Sequence, residues 1–161
     1  MIIKQLIDED FVNYKKPSMF IGFPSCSWKC DKECGMQVCQ NGALANSPDI
    51  NIDIDDLCLR YIKNKITTAI VCAGLEPMDN FNNLCQFIFI LRSIYECNDD
   101  VVIYTGYTKE ECINKGWIET LSLVENIIIK FGRYIPNQEK HFDDVLGICL
   151  ASDNQYAERL S

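Results

Sequence analysis

The chain alternates short apolar runs with longer segments in which apolar residues recur every three or four positions. An apolar run of five to seven residues, rich in β-branched side chains and bounded by Gly, Pro or polar residues, predicts a buried strand. Five runs have this character: residues 18–23, 67–73, 101–105, 126–131 and 145–150. In addition, residues 2–6 predict a short edge strand, and residues 8–16 predict a polar loop.

Three segments between these strands predict helices. Residues 53–64 and 79–96 place apolar side chains on one face, and each begins with an aspartate suited to cap the first turn, Asp53 or Asp79. The segment Thr108–Glu111 has the sequence of a capping box, which predicts a third, shorter helix.

Strands that alternate with helices predict an α/β fold with a mainly parallel sheet and right-handed crossovers. With 161 residues, the chain is expected to be a single domain spanning 1–161, too short to close an eight-stranded barrel of ~250 residues. We therefore expect an open, curved partial barrel of about five or six strands. Ligands bind beyond the carboxyl ends of such strands, so the loops at 26–39, 74–77 and 105–108 should meet on one rim.

The charge of the chain excludes several classes of partner. It carries 15 basic and 23 acidic residues, a formal net charge of −8, which argues against binding nucleic acid or an anionic membrane. No apolar run approaches the ~18 residues of a membrane span, and the first residues do not have the pattern of a signal peptide. We therefore expect a cytoplasmic protein, in which clustered cysteines indicate metal binding or catalysis rather than disulfides.

Four of the ten cysteines lie in one loop after the first core strand: Cys26, Cys30, Cys34 and Cys39. Thiolates are soft ligands that select zinc, copper(I) or iron–sulfur clusters. Structural zinc usually takes two well-separated cysteine pairs, whereas iron–sulfur clusters are commonly held by a single run. The spacing favours a cluster, and three protein ligands to a cubane would leave one iron open for chemistry. The alternative is a zinc-binding interaction module, in which all four thiols form a closed tetrahedron.

The cysteine loop resembles the cluster loop of the radical S-adenosylmethionine (SAM) enzymes, whose pattern is C-x3-C-x2-C. Cys26 and Cys30 match the first two positions. Val38, Cys39 and Asn41 match the apolar residue, the third cysteine and the asparagine found in the glycyl-radical activases of that family. The resemblance implies that the three matching cysteines bind a [4Fe–4S] cluster.

One departure from the family pattern leaves the third ligand open. Eight residues, 31–38, separate the second and third matching cysteines, where the family has two. Cys34 lies inside this insertion and is the rival to Cys39 as third ligand.

Two further segments resemble the SAM-binding parts of the same family. Residues 74–77 are similar to the GGEP motif, which binds the amino group of the methionine moiety, although Leu75 replaces the second glycine. Residues 105–108 are similar to a TGYT stretch in activating proteins of anaerobic ribonucleotide reductases. The resemblance implies cofactor-binding roles for Val38, Asn41, Gly74, Leu75, Glu76, Pro77, Thr105 and Gly106.

The segment 146–155 also resembles those activating proteins, which carry a G-S-x-N-Q stretch there. Asn154 and Gln155 would then close the site or contact a partner, and the alternative is that they cap the end of the sheet. Lys130 stands where the family often has an acidic residue, and we assign it no role.

The resemblance to activating proteins of class III ribonucleotide reductase covers residues 15–159 and implies an enzyme. Such an enzyme cleaves SAM reductively at its cluster, with an electron from reduced flavodoxin or ferredoxin, and the 5′-deoxyadenosyl radical installs a glycyl radical on the reductase. The same site would serve a radical SAM enzyme that acts on another glycyl-radical enzyme or on a small molecule. A chain this short leaves the site open on one side, which favours a macromolecular substrate.

Overall fold

The computed structural model describes residues 1–161 as ten strands, six α-helices and one 3-10 turn. The strands are β1 (Ile2–Ile3), β2 (Gln5–Asp10), β3 (Ser18–Phe23), β4 (Ile50–Asn51), β5 (Ala69–Gly74), β6 (Asp100–Tyr104), β7 (Ile127–Phe131), β8 (His141–Asp143), β9 (Ile148–Leu150) and β10 (Tyr156–Arg159). The helices are α1 (Lys29–Cys34), α2 (Gly42–Ala45), α3 (Ile54–Lys63), α4 (Phe81–Ser93), α5 (Lys109–Asn114) and α6 (Trp117–Leu121), and the 3-10 turn covers Pro77–Asn80. No helix combines the length and the apolar character that crossing a bilayer requires.

Six strands form one sheet in the order β10-β7-β6-β5-β3-β2. The four central strands β3, β5, β6 and β7 are parallel, and β2 and β10 pair antiparallel at the two edges. Phe23 lies opposite Gly74 at the ends of β3 and β5, so the carboxyl ends of the central strands lie along one edge of the sheet. The predicted α/β class and the open, mainly parallel sheet of a partial barrel are confirmed.

Both faces of the sheet are covered, which explains why its central strands are continuous apolar runs. One face, which carries Met19, packs in a cluster of 24 buried residues that includes side chains of α3, α4, α5 and α6. The opposite face, which carries Phe20 and Val71, packs in a smaller cluster of 10 buried residues with Tyr14 and Leu150. The second layer is therefore built by the loop before β3 and the β8–β9 hairpin instead of by helices.

Two helix starts agree with the sequence prediction. Asp53 caps α3 by accepting a hydrogen bond from the amide of Asp55 at 2.8 Å. Thr108 and Glu111 form the capping box of α5, in which each side chain accepts from the backbone amide of the other. The sequence does not predict α1 or α2, because neither helix buries a side chain and so neither has an apolar face.

The predicted cap at Asp79 is wrong. The helix α4 begins at Phe81, after a 3-10 turn in which the side chain of Glu76 is the cap. The Asp79 carboxylate instead accepts hydrogen bonds from the Ser27 amide and the Tyr107 hydroxyl. Contacts with two other loops therefore take the side chain that the local pattern assigns to the helix.

The two ends of the chain also differ from the prediction. The predicted strand at 2–6 and loop at 8–16 are wrong in detail, because β2 extends to Asp10 and pairs with β3. The predicted strand at 145–150 is reduced to β9, which pairs with β8 outside the main sheet, and the last strand of the sheet is β10. An edge strand pairs on one side only and carries polar residues, so it lacks the apolar run that marks a buried strand.

One buried carboxylate joins several elements at the amino end of β6. Asp100 accepts hydrogen bonds from Tyr14 and Lys16 on the loop before β3, and from Arg159 on β10. Burial works to raise the pKa of Asp100, but these three donors outweigh it and hold the pKa below its ordinary value. The carboxylate thereby ties both the covering loop and an edge strand to the centre of the sheet.

We expect Asp100→Ala to lower the free energy of unfolding by about 2 kcal/mol, since hydrogen bonds to a charged group are worth roughly 1.5–3 kcal/mol and the basic partners are half-exposed. Because folding lowers this pKa, the contribution is present above the unfolded pKa and is lost as the pH falls through the folded value. Denaturant unfolding at pH 7 and at lower pH should show that the difference in the free energy of unfolding between Asp100→Ala and wild type becomes smaller as the pH falls. The exposed Asp144 provides the control variant, Asp144→Ala, and equal stability of all three proteins at pH 7 would contradict the prediction.

Candidate functional site

The carboxyl ends of the four parallel strands form one rim, at which the loops after β3, β5, β6 and β7 meet. The Glu76 amide donates to the Ser25 carbonyl at 2.9 Å, and the Gly106 amide donates to Glu76 Oε2 at 2.8 Å. The Gly132 amide donates to the Tyr107 carbonyl at 3.0 Å. The three loops that the sequence places on one rim do meet there, and the loop after β7 joins them.

Cys26 lies where the chain turns from β3 into α1. Its Sγ accepts a hydrogen bond from the amide of Trp28 at 3.2 Å, and Trp28 has a left-handed φ of 57°, which is uncommon for a bulky residue. The Ser27 amide, which donates to Asp79 at 2.6 Å, ties this turn to the loop after β5. Burial raises the pKa of Cys26 to about 12, so a metal that binds it must displace the thiol proton.

Asp31 closes the insertion between the second and third predicted ligands. Its Oδ1 accepts hydrogen bonds from the amides of Val38 and Cys39, both at 2.8 Å. Because Asp31 directly follows Cys30, this closure returns the chain to Cys30 after an excursion through residues 32–37. Burial raises the pKa of Cys30, and the charge of nearby Cys39 raises it further. The structure therefore returns the backbone of Cys39 to Asp31, the residue after Cys30, despite the insertion.

Cys34 lies on the excursion, at the last residue of α1, before Gly35 ends the helix with a φ of 66°. All four thiols of the loop are free and partly exposed. No group of three or more His, Cys, Asp or Glu side chains surrounds a single metal-ion position. This includes Cys26, Cys30 and Cys39, so in the metal-free chain the thiols are not gathered around one ion.

Glu76 is buried below the rim, at 5% exposure. Its Oε1 accepts from the Met78 amide at 3.1 Å and its Oε2 from the Gly106 amide at 2.8 Å. Burial raises the pKa of Glu76 to about 7, although hydrogen bonds from Gly106, Thr105 and Met78 work to lower it. The carboxylate thus joins the loops after β5 and β6, and it stands close to its point of titration near neutral pH.

The rest of the 74–77 segment is shaped by close packing. Gly74 has a φ of +83°, and a Cβ on it would lie 2.7 Å from Gly22 Cα, so only glycine fits beside β3. The Gly74 carbonyl accepts a hydrogen bond from Asn41 Nδ2 at 2.6 Å, which ties the end of the cysteine loop to this segment. Leu75 is partly exposed, and Pro77 is buried at the start of the 3-10 turn.

Gly106 lies at the centre of the site. A Cβ on it would lie 3.5 Å from Glu76 Oε2 and 3.7 Å from both Cys30 Sγ and Arg133 Cγ. An added methyl group would be in ordinary contact with all three, so Gly106 leaves a methyl-sized gap between a carboxylate, a predicted ligand and the stem of a cation. Thr105 is buried, and its Oγ1 accepts from the Tyr107 amide at 3.0 Å, so it shapes the turn from beneath.

A cavity of about 490 Å³ opens beside Cys26. Its lining includes the ring of Trp28 and the side chains of Leu75 and Asn80. The structure thus offers space for part of a small ligand directly next to the first predicted cluster ligand.

Two buried cations at the rim have no role in the sequence prediction. Lys130 and Arg133 are 6% and 7% exposed, and Lys130 Nζ donates to the Gly132 carbonyl at 2.8 Å. Burial lowers the pKa of Lys130 to about 8, while the charges of Glu76 and Cys30 work to raise it. A single lysine inside an apolar strand is a visible signal for Lys130, whereas no local pattern marks Arg133.

Asn154 and Gln155 lie behind the rim and support the loop after β7. Asn154 Nδ2 donates to the Arg133 carbonyl at 2.9 Å, and Gln155 Nε2 donates to the Gly132 carbonyl at 3.2 Å. Gln155 is buried, and its Oε1 also accepts from the Ala151 amide at 3.1 Å. In this arrangement both side chains hold the backbone at the end of the sheet, which was the alternative to closing the site.

A family model described as a 4Fe-4S single cluster domain matches residues 18–155, which is most of the chain. The chain belongs to the 4Fe-4S single cluster domain family. A single cluster domain of this kind is typical of radical SAM activases, so membership supports a 4Fe–4S cofactor and radical SAM chemistry. Comparisons with curated proteins and with solved structures found no significant match.

The residues of this single cluster domain fit the cofactor that its family implies. The loop of four thiols supplies soft ligands to iron, and the opening left by Gly106 borders Cys30. Glu76 and the carbonyls of the rim provide negative charge and acceptors, which suit a cationic ammonium group. The residues of the rim therefore fit an iron–sulfur cluster.

We expect the stability of the cluster-free single cluster domain to fall between about pH 4.5 and pH 7, because folding raises the pKa of Glu76. A raised pKa means that the folded state binds more protons in this window, so the contribution is full below the unfolded pKa and is lost as the pH rises through 7. The loss is roughly 3 kcal/mol at most. Denaturant unfolding across this range should show a weaker pH dependence for Glu76→Gln.

The exposed Glu139 provides the matched control, Glu139→Gln, which should keep the wild-type pH dependence. Parallel curves for wild type and Glu76→Gln would show that Glu76 does not titrate in this window.

Proposed function

We propose that this protein is a radical SAM activase that installs a glycyl radical on an anaerobic ribonucleotide reductase. One observation carries the proposal: the cysteine loop of a 4Fe-4S single cluster domain meets Glu76 and Gly106 on one rim. A cluster and a ligand with an ammonium group would be neighbours there. A simple iron–sulfur electron carrier has no need of a buried carboxylate and a glycine-lined opening beside its cysteines.

Cys26, Cys30 and Cys39 are the cluster ligands in this proposal. The two hydrogen bonds that Asp31 accepts support Cys39, because they return its backbone to the residue after Cys30. Cys34 follows Cys30 by one turn of α1 and remains the rival third ligand. Asn41 follows Cys39 and donates to the Gly74 carbonyl, so the third ligand is joined to the SAM-binding segment.

The cofactor-binding residues then have distinct tasks. When bound, the cluster and SAM supply a one-electron reductive cleavage that yields methionine and a 5′-deoxyadenosyl radical. Glu76 provides the charge that attracts the SAM ammonium, and the Gly74 carbonyl is an acceptor for the same group. Gly106, with Thr105 beneath it, leaves the opening into which the cofactor reaches. In this proposal the apolar side chains of Val38, Leu75 and Pro77 limit the access of water to the bound cofactor.

A protein substrate agrees with the open side of the site. The cysteine loop remains partly exposed, so a docking partner would cover the rim and shield the radical from solvent. The net charge of −8 disfavours nucleic acid as the partner. Reduced flavodoxin or ferredoxin would supply the electron, and the ten free cysteines suit a reducing cytoplasm.

The cavity of about 490 Å³ beside Cys26 favours a second candidate, a radical SAM enzyme that acts on a small molecule. Its lining of Trp28, Leu75 and Asn80 would hold a substrate with an aromatic or aliphatic part and a few polar groups. The two candidates share the same cluster and SAM sites and differ in what consumes the radical.

We expect Cys26→Ala, Cys30→Ala and Cys39→Ala each to abolish the reconstituted cluster, whereas Cys34→Ala should retain it. The reason is the closure by Asp31, which returns Cys39 to the base of the cysteine loop. Iron and sulfide analysis after anaerobic reconstitution measures this, with the remote, exposed Cys149→Ala as control. A cluster that survives the loss of Cys39 and not the loss of Cys34 would reverse the assignment.

We expect the reductase, incubated anaerobically with this protein, SAM and a strong reductant, to acquire a glycyl radical. Electron paramagnetic resonance should show a doublet from coupling to one α-hydrogen, which collapses to a singlet when glycine is deuterated at that carbon. The Cys30→Ala variant should give no signal, and Cys149→Ala should behave as wild type. Consumption of a small metabolite in step with SAM, without any radical on the reductase, would replace the activase proposal by the second candidate.

A further inference from the structure

Arg133 is the centre of an ion-pair network that joins the loop after β7 to the cysteine loop. Its Nη2 lies 2.7 Å and 2.8 Å from the two carboxylate oxygens of Glu111 on α5. Its Nε lies 3.0 Å from Glu33 Oε1 on α1, an ion pair by distance whose angle is not that of a hydrogen bond. The Arg133 side chain is 8% exposed, whereas Glu33 is 59% and Glu111 31% exposed, so a buried cation meets its acids at the surface of the rim.

The same network reaches α1 at a second point. Lys29 Nζ donates to Glu111 Oε1 at 2.8 Å and lies 4.3 Å from the centre of the Tyr107 ring. Lys29 directly precedes Cys30, and Glu33 directly precedes Cys34. Both ends of α1 are thus tied to Arg133, one directly and the other through Glu111.

These ties matter because α1 has little else to hold it. The helix has six residues and buries none of them, and no side chain caps its start at Trp28. A helix this short is unstable without tertiary contacts, and here hydrophobic packing does not supply them. The polar contacts with the rim must therefore fix its position.

The base of the network is itself rigid. Gly132 has a φ of +96°, and a Cβ on it would lie 2.8 Å from the Asn154 carbonyl oxygen. Asn154 and Gln155 hold the carbonyls of Arg133 and Gly132 by hydrogen bonds. The guanidinium is thus presented from a fixed backbone at the end of β7.

We propose that Arg133 is a positioning residue for the cysteine loop: by pairing with Glu33 and with the Glu111–Lys29 pair, it holds α1 and Cys30 at the rim before any cluster binds. The inference rests on the proposed function for the identity of the bound group. The network itself belongs to the cluster-free chain and can be tested there. The network holds the cysteine loop in place in advance, so that the thiols need less rearrangement to bind a common cluster.

Hydrogen exchange on the anaerobic, cluster-free full chain tests the proposal. Arg133→Met should speed exchange of the amides of residues 29–39 by tenfold or more, with the amides of β5 and β6 unchanged. Arg133→Lys keeps the charge but has a single nitrogen for two acids, so it should restore part of the protection. Lys109→Met is the matched control, because it removes another α5 ion pair, with Glu158, that does not touch the cysteine loop.

Loss of a bound cluster provides a second readout. After reconstitution, Arg133→Met should release iron to a chelator several times faster than wild type and Lys109→Met, as followed by the visible absorbance. Should Arg133→Met disturb the sheet amides as well, Glu33→Gln decides, since Glu33 is 59% exposed and its loss does not threaten the core. That variant should show an intermediate gain in exchange at residues 29–39.

Unchanged exchange at residues 29–39 in both Arg133→Met and Glu33→Gln would overturn the positioning role. That result would leave the activase proposal intact, because it is measured without cluster, SAM or partner. Conversely, a protein that shows the predicted exchange but gives no radical on the reductase would contradict the activase proposal alone.

Discussion

The rim depends on one buried carboxylate. Glu76 touches three loops at once: its side chain accepts from the amide of Gly106 and from its own 3-10 turn, and its backbone amide donates to Ser25 in the cysteine loop. Removing a carboxylate from water costs free energy, and the raised pKa shows that the hydrogen bonds offset only part of that cost. A positively charged group bound at the rim would offset more of it. The ionised form of Glu76 is thus most stable when a cationic ligand is bound at the rim.

Charges of both signs alternate around this carboxylate. Lys130 and Arg133 are the only buried cations of a chain with a net charge of −8. Both lie within residues 130–133, at the end of β7 and the start of the loop that follows it. Lys130 donates to a carbonyl below the rim, while Arg133 pairs with two acids above it. The positive charge is therefore concentrated where thiols must lose their protons to bind iron, and the charge of Arg133 works to lower the pKa of Cys30 against the effect of burial.

The sequence predicts the central parallel strands, because strands buried on both faces require unbroken apolar runs. It fails at β2 and β10, whose polar residues face solvent at the edges, and at α1, which buries no side chain. The Asp79 cap fails for a different reason, since tertiary hydrogen bonds to Ser27 and Tyr107 override a local preference. Within the site, the sequence pattern predicts the residues that directly follow a buried strand. It does not predict the place of Arg133, which depends on contacts between segments distant in the chain.

The closure of the cysteine loop by Asp31 separates the spacing of the thiols from the length of the insertion. Two hydrogen bonds fix the base of the excursion, and its tip, around Met36, is 63% exposed. Residues at this tip can therefore be exchanged or extended without altering the span between Cys30 and Cys39. The tip is accordingly a natural attachment point for a fluorophore or spin label, which would follow cluster assembly from outside the ligand set.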